Sequence, residues 1–244
     1  MEELLGVDAV AAYLAVHPMT VYRWCRDGRL PALKVGKSWR VARPALEAFV
    51  RRGLRPRTLV GHLQAFLTLP DHVIGVATTP DVLHRFDAAF FQVGEARGGV
   101  LVKVYTGEPA SEDDLRAAFT RHGLAVARLE EAGRLRFTKE ADPRGGRAAT
   151  LRRLLDEETG DGRPLWAAFD WVEDVGLDAA LRQQRDMREV IHERPAALAT
   201  GVLERVLEDW SLAEQRRARH AHHGFVSLSA THAFLGRSLP LPAE

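Results

Sequence analysis

The chain has 244 residues, 46% of them hydrophobic and 27% charged, which excludes a disordered polyelectrolyte and allows one domain of ordinary size plus a small one. Cys25 is the single cysteine, so no intrachain disulfide can form, as suits a reducing cytoplasm. No apolar run approaches the ~20 residues needed to cross a bilayer, and the acidic start Met1-Glu2-Glu3-Leu4 has no signal-peptide core, so a cytoplasmic protein with no membrane partner is expected.

The net charge of +1 is unevenly spread. Residues 1–57 carry 11 Lys and Arg against 5 Asp and Glu, a net +6, and residues 58–244 carry 23 against 28, a net −5. A basic N-terminal part on a mildly acidic body suggests a polyanion partner for the first part; a solvated basic surface is the alternative.

In "VDAVAAYL", residues 7–14, Val7, Val10, Ala11 and Leu14 share one face of a short helix. His17-Pro18 starts a second helix, with Pro at the first helical position, where its missing N–H costs nothing. That helix runs to about Asp27 and ends at Gly28, suited to a left-handed cap. Gly36-Lys37-Ser38 matches the tail of a phosphate-binding loop, but the Gly such a loop needs at position 31 is Pro31. Trp39-Arg40-Val41 reads as a strand where that loop needs a helix, so Gly36-Lys37 is the turn of a hairpin. A third helix, Pro44 to Arg52, packs Leu46, Phe49 and Val50 behind it. Two short helices, a tight connection and a hairpin make a winged helix-turn-helix.

On the second helix Val21 and Trp24 are expected to join the core with Leu14, which leaves Thr20, Tyr22, Arg23 and Arg26 to point elsewhere. Arginine pairs bidentately with guanine edges, and Thr and Tyr bond phosphates or bases. Lys37 and Arg40 place further positive charge on the neighbouring hairpin. These six residues are the candidate contacts to double-stranded DNA.

Residues 4–52 resemble the excisionase-family, MerR-like winged helix domain, through "TVYRW", "DGRLPALKVGKSWRV" and "ALEAFV". The resemblance implies that the second helix enters the major groove, with Thr20, Tyr22, Arg23 and Arg26 facing it. It also implies that the wing, with Lys37 and Arg40, touches backbone or minor groove. His17-Pro18-Met19 departs from the family at the helix start, where a Ser-type cap is usual.

"RRGLRPRT", residues 51–58, has Gly and Pro among arginines and no hydrophobic periodicity. The expected organisation is a DNA-binding domain over 1–53, a linker over 54–61 and an α/β domain over 62–244. Buried strands are predicted at 72–78, 99–106, 165–171, 196–203 and 225–229. Thr79-Pro80 opens a helix carrying Val82, Phe86, Ala89, Phe90 and Val93, and Ser111 caps another with Leu115, Ala118 and Phe119 inward. A last helix is predicted to hold Leu203, Val206, Leu207 and Trp210. Trp210 and the Arg216-Arg217-Arg219 run are features it can spare for self-association. Strands alternating with helices predict an α/β fold, a mostly parallel sheet covered on both faces.

Ligands of such sheets sit beyond the carboxyl ends of the strands, here at Thr78-Thr79, Thr106-Gly107-Glu108, Asp170-Trp171 and Glu204. None of these turns carries a dinucleotide or P-loop fingerprint. His220, His222 and His223 cluster in sequence, but a metal needs converging ligands from elsewhere, and a dipole role at a helix end serves as well. Asp170, Glu173 and Asp174 are either a general-base group or a polar loop. No nucleophile elbow is present. No catalytic residue, metal or cofactor is therefore expected.

"DHVIGVATTPDVLHRF", "GRPLWAAFDW" and "LATGVLERVLEDW" resemble, over about residues 70–235, the MEDS sensory domain of dichloromethane-metabolism regulators. That resemblance implies a three-layer, degenerate RecA/KaiC-like α/β fold with no working P-loop. The whole reads as a sequence-specific transcriptional regulator, not an enzyme, with a sensor-like domain, a small-molecule effector and a homo-oligomeric state. The alternatives are an excisionase-type architectural factor and an enzyme with a DNA-targeting domain, such as a serine recombinase. The recombinase needs a nucleophilic serine after its first strand, where Ala77-Thr78-Thr79-Pro80 stands.

Overall fold

The computed structural model describes residues 4–14, 16–53, 58–107, 110–158, 160, 162–171, 173, 175–192 and 194–238. The chain divides into two units, Met1–Arg57 and Thr58–Glu244.

The first unit runs β1 (Leu4–Gly6), α1 (Val7–Leu14), α2 (Pro18–Arg26), β2 (Leu33–Val35), β3 (Ser38–Ala42) and α3 (Arg43–Gly53). Its antiparallel sheet has the order β1-β3-β2. Val10, Ala11, Val21, Cys25, Leu30, Val41 and Leu46 form the core, with Leu14, Trp24 and Phe49 packed against it. The helix faces are those the spacing predicts. The side chain of Val50, also expected there, lies outside the described residues. The strand β1, too short for a periodic signal, is an addition: it pairs Leu5 with Val41 and Gly6 with Arg40. Pro18 opens α2, and His17 takes the place of the usual Ser cap, its Nδ1 accepting the Met19 N–H at 3.2 Å. Gly28 has φ +69°, the left-handed conformation that ends the helix.

The linker expected over 54–61 changes character at its second half. Residues 54–57 lie outside the described residues. Thr58 caps α4 (Leu59–Phe66), its hydroxyl accepting the Gly61 N–H at 3.1 Å. Leu63 is buried in the larger unit's core and Leu59, Val60 and Phe66 pack against it. Burial of that stripe stabilises a helix where the basic composition just before it suggested a spacer.

The second unit continues β4 (Asp71–Ala77), α5 (Pro80–Ala96), β5 (Val100–Tyr105), α6 (Glu112–Arg121), α7 (Val126–Glu131), β6 (Leu135–Lys139) and α8 (Arg147–Glu158). It then runs β7 (Leu165–Asp170), α9 (Leu177–Val190), β8 (Ala196–Leu203), α10 (Glu204–Glu208), α11 (Leu212–His220), β9 (Gly224–Leu228) and β10 (Ala233–Arg237). The sheet order is β10-β9-β4-β8-β7-β5-β6, parallel throughout except for the β9–β10 pair. One face packs on α4, α5, α6 and α7 through Phe86, Phe90, Phe91, Phe119 and Trp166. The other face packs on α8, α9 and α11 through Leu151, Leu155, Met187, Leu181 and Ala218. This is the expected three-layer α/β arrangement.

A Cβ on Gly75 of β4 would lie 2.3 Å from the Phe86 ring, so only glycine lets α5 approach that strand. The helix expected over 203–210 is instead two structures. Leu203 ends β8, and α10 covers five residues before the Ser211–Glu214 capping box opens α11. The features expected to be spare there are used internally: Trp210 packs on Trp171 at 5.3 Å, Arg217 pairs with Asp178 at 2.5 Å, and Arg219 lies over Phe225.

Candidate nucleic-acid interface and a charged cavity

In α2, Val21 and Cys25 turn inward and are fully or nearly fully buried. A helix of 3.6 residues per turn must then present Tyr22, Arg23 and Arg26 on its other sides, and all three are exposed. Thr20 is half-buried. Met19, at the start of the helix, is 60% exposed and belongs to the same open surface, although its apolar side chain gave no sign of this in the sequence. Arg26 Nε donates to Asp27 Oδ1 at 2.9 Å. An exposed pair of this kind contributes about 0–1 kcal/mol, so Arg26 is held without being withdrawn. Burial raises the Cys25 thiol pKa and keeps it unreactive.

The hairpin forms as expected. Lys34 opposes Trp39 and Val35 opposes Ser38, so Gly36-Lys37 is a two-residue turn, with Gly36 at φ +61°. Lys37 is exposed at its tip. Arg40 sits lower, half-buried on the sheet surface opposite Leu33 and Gly6, and its guanidinium donates to the Trp39 carbonyl at 3.0 Å. Two further cations were not evident in the sequence: Lys34 beside the Trp39 ring and Arg29 beside the Trp24 ring, at 5.9 and 6.0 Å. Trp24 was legible only as a core residue and Trp39 only as part of the hairpin strand.

In the second unit, a cavity of about 680 Å³ opens at the carboxyl ends of β4, β5, β7 and β8. The turns after these strands are the ones the parallel topology singles out. Beneath the cavity lies a charge cluster. Lys103 on β5 has no exposed surface, and its ammonium donates to Asp87 of α5 at 2.7 Å and to Asp170, at the end of β7, at 2.6 Å. Burial opposes its charge, but the Asp170 and Asp87 carboxylates outweigh burial and hold its pKa above the lysine range. Burial raises the Asp87 carboxyl, with Lys103 pulling the other way. A second buried pair, Arg147 with Glu140 at 2.9 Å, flanks Asp170, whose carbonyl accepts from Arg147 at 2.5 Å. Tyr105 donates to Glu112 at 2.6 Å and ties the end of β5 to α6.

The acidic group read around Asp170 is split. Asp170 belongs to Lys103, Glu173 takes both guanidinium nitrogens of Arg205 at 2.5 and 3.0 Å, and Asp174 lies outside the described residues. Lys103 and Asp87 were invisible in sequence, one inside an apolar strand and the other inside an apolar helix stripe. Thr78-Thr79 after β4 caps α5, with Thr79 accepting the Val82 N–H at 3.3 Å.

The three neighbouring histidines also diverge. His222 is buried and donates from Nδ1 to the Ala218 carbonyl at 2.7 Å. His223 instead accepts the His72 backbone N–H at 3.1 Å. The His220 carbonyl faces Arg188. No group of three His, Cys, Asp or Glu that could hold a metal occurs among the described residues.

Residues 4–53 match the family described as "Helix-turn-helix domain". Two curated proteins of Mycobacterium tuberculosis, from strains CDC 1551 / Oshkosh and ATCC 25618 / H37Rv, carry the name "Putative DNA-binding protein". Each is 54% identical to this chain over 39 residues, 16% of this chain and 50% of the relative. The chain thus spans about half the length of the curated relatives it matches. Residues 4–53 are a helix-turn-helix domain.

Proposed function

We propose that this chain is a sequence-specific transcriptional regulator that binds double-stranded DNA through its first unit. The observation that carries the reading is α2 itself: Val21 and Cys25 face the core while Tyr22, Arg23 and Arg26 stand exposed. In the major groove, the arginines read guanine edges, and Thr20 and Tyr22 bond bases or phosphates. Lys37, at the tip of a two-residue turn, reaches the phosphate backbone, with Arg40 behind it. The family match and the names of the mycobacterial relatives support DNA as the ligand. The second unit is read as a cytoplasmic sensor and assembly domain of the MEDS kind, and the protein as a binder rather than a catalyst.

A genome-wide footprint of the full chain tests this. Protected sites should share a short motif and lie over promoters. Protection confined to recombination attachment sites would favour an architectural factor, and a sequence-independent footprint would remove the regulator reading.

A further inference from the structure

The cavity at the strand ends measures about 680 Å³, within the roughly 300–1,000 Å³ of small-ligand sites. Most of its wall is apolar, including Leu83, Leu115, Trp171 and Val206. Two polar groups on that wall have bonding capacity to spare. Asp170 gives Oδ1 to Lys103, keeps 33% of its side chain exposed, and makes no hydrogen bond through Oδ2 among the described residues. His84 on α5 is half-buried and makes no side-chain hydrogen bond among the described residues. Burial and then the Lys103 charge lower its pKa, so at neutral pH it offers an imidazole nitrogen as acceptor.

One carboxylate of the buried charge cluster meets the cavity. Arg205 and Glu173 on the wall pair with each other, and Arg144 also lines it. Beneath the wall, Asp87 and Asp170 share Lys103, and Glu140 pairs with Arg147. Asp87 and Glu140 side chains are closed off, so Asp170 is the carboxylate of this cluster that keeps exposed surface at the cavity.

We propose that this cavity binds a small organic cation, an amine on an apolar body. Its ammonium donates to Asp170 Oδ2 and to His84, and its body lies against Leu83, Leu115 and Trp171. A carboxylate ligand seated there would meet the Asp170 carboxylate, and a neutral hydrocarbon would desolvate Asp170 without replacing its water. Binding stands on the cavity alone; the ligand's role as the regulator's signal rests on the function proposed above.

Isothermal titration of the full chain, without DNA, tests the assignment with tryptamine, benzylamine and hexylamine against indole-3-acetate, phenylacetate and hexanoate. At least one amine should bind at submillimolar concentration, and its matched carboxylate about 10-fold or more weaker, a difference of ~1.4 kcal/mol. Asp170→Asn should weaken the amine by a similar factor. Because that change also disturbs Lys103, Val206→Trp provides a second variant that narrows the cavity at a residue outside the ion pairs. It should weaken binding about 10-fold or more in a chain that still melts cooperatively. No amine binding, carboxylates binding as well as amines, or full binding by Val206→Trp would each overturn the proposal. The promoter footprint fails or succeeds separately.

Discussion

His72 and His222 lie edge to face with ring centroids 4.5 Å apart, both essentially without exposed surface. Around them stand Thr200, Gln184, Arg188 and His223, with Asp71 beside His223. Burial lowers both pKa values, that of His222 from 6.5 to about 4 and that of His72 well below its ordinary value. The unfolded chain therefore takes up protons at these sites before the folded one does, and stability present above pH 6.5 is lost as pH falls toward 4. Between pH 7.5 and 5 the shift of His222 should remove about 2 kcal/mol, and His72 acts in the same direction. Urea unfolding at the two pH values measures this, and His222→Leu should flatten the difference. A midpoint insensitive to pH in the parent protein would mean that the imidazoles charge in place. On the proposed DNA-binding surface, Arg23→Ala and Arg26→Ala should each cost ~1–3 kcal/mol and relax preference at one base position. Lys37→Ala should weaken all sequences alike and flatten the plot of log affinity against log salt by ~0.9. Titrations on cognate and scrambled duplexes at several salt concentrations separate the two behaviours. Equal losses on both duplexes for the arginine variants would remove α2 from the bases.

Between the elements β4 and α5 the approach is close, and Gly75 makes it feasible. A methyl group there cannot be absorbed, because the Phe86 ring it meets is itself fully buried. Gly75→Ala should destabilise the second unit by roughly 1–3 kcal/mol, and Phe86→Leu should restore part of the loss in the double variant, a coupling that denaturation of the four proteins reads directly. Additive losses would show that the strand and helix adjust independently. The central strands β4, β5, β7 and β8 were legible in the sequence because burial on both faces demands near-continuous apolar residues. The outer strands were less so. In β6, "LRFTK", and β10, "AFLGR", apolar and polar residues mix in segments of five, too short for alternation to separate them from loops. Similarly, Leu203 and Val206 have helical spacing, but Leu203 is taken by the sheet. The exposed side chains of α2 were readable from the inward spacing of Val21 and Trp24, although Cys25, not read as core, is buried more deeply than Trp24. Lys103 and Asp87 were not, because a residue's partner across a sheet and a helix leaves no mark in local periodicity.

For the whole molecule, the first unit has its own core and a short recognition surface, so by itself it makes few phosphate contacts. Regulators gain affinity by pairing half-sites, where a tethered second module works at high effective concentration. The full chain should therefore sediment as a dimer or larger, and isolated residues 1–57 as a monomer binding at least ~10-fold more weakly, ~1.4 kcal/mol. Since Trp210, Arg217 and Arg219 are engaged within their own unit, substituting them should lower stability before it changes assembly. Equal affinity of the full chain and the fragment, or a monomeric full chain on DNA, would refute the paired arrangement.

The strand order also decides when the protein becomes a protein. β4 emerges early in synthesis, yet its two neighbours in the sheet are β8, Ala196–Leu203, and β9, Gly224–Leu228. The helix-turn-helix unit can close as soon as residue 53 clears the ribosome. The apolar strand behind it must wait for residues up to 228, roughly 10–30 s at ordinary elongation rates. During that interval a folded DNA-binding head trails a segment with no partner, which is the stretch a chaperone would have to shield. A chain stopped before residue 196 would join a first unit that can close on its own core to a β4 with neither of its sheet neighbours.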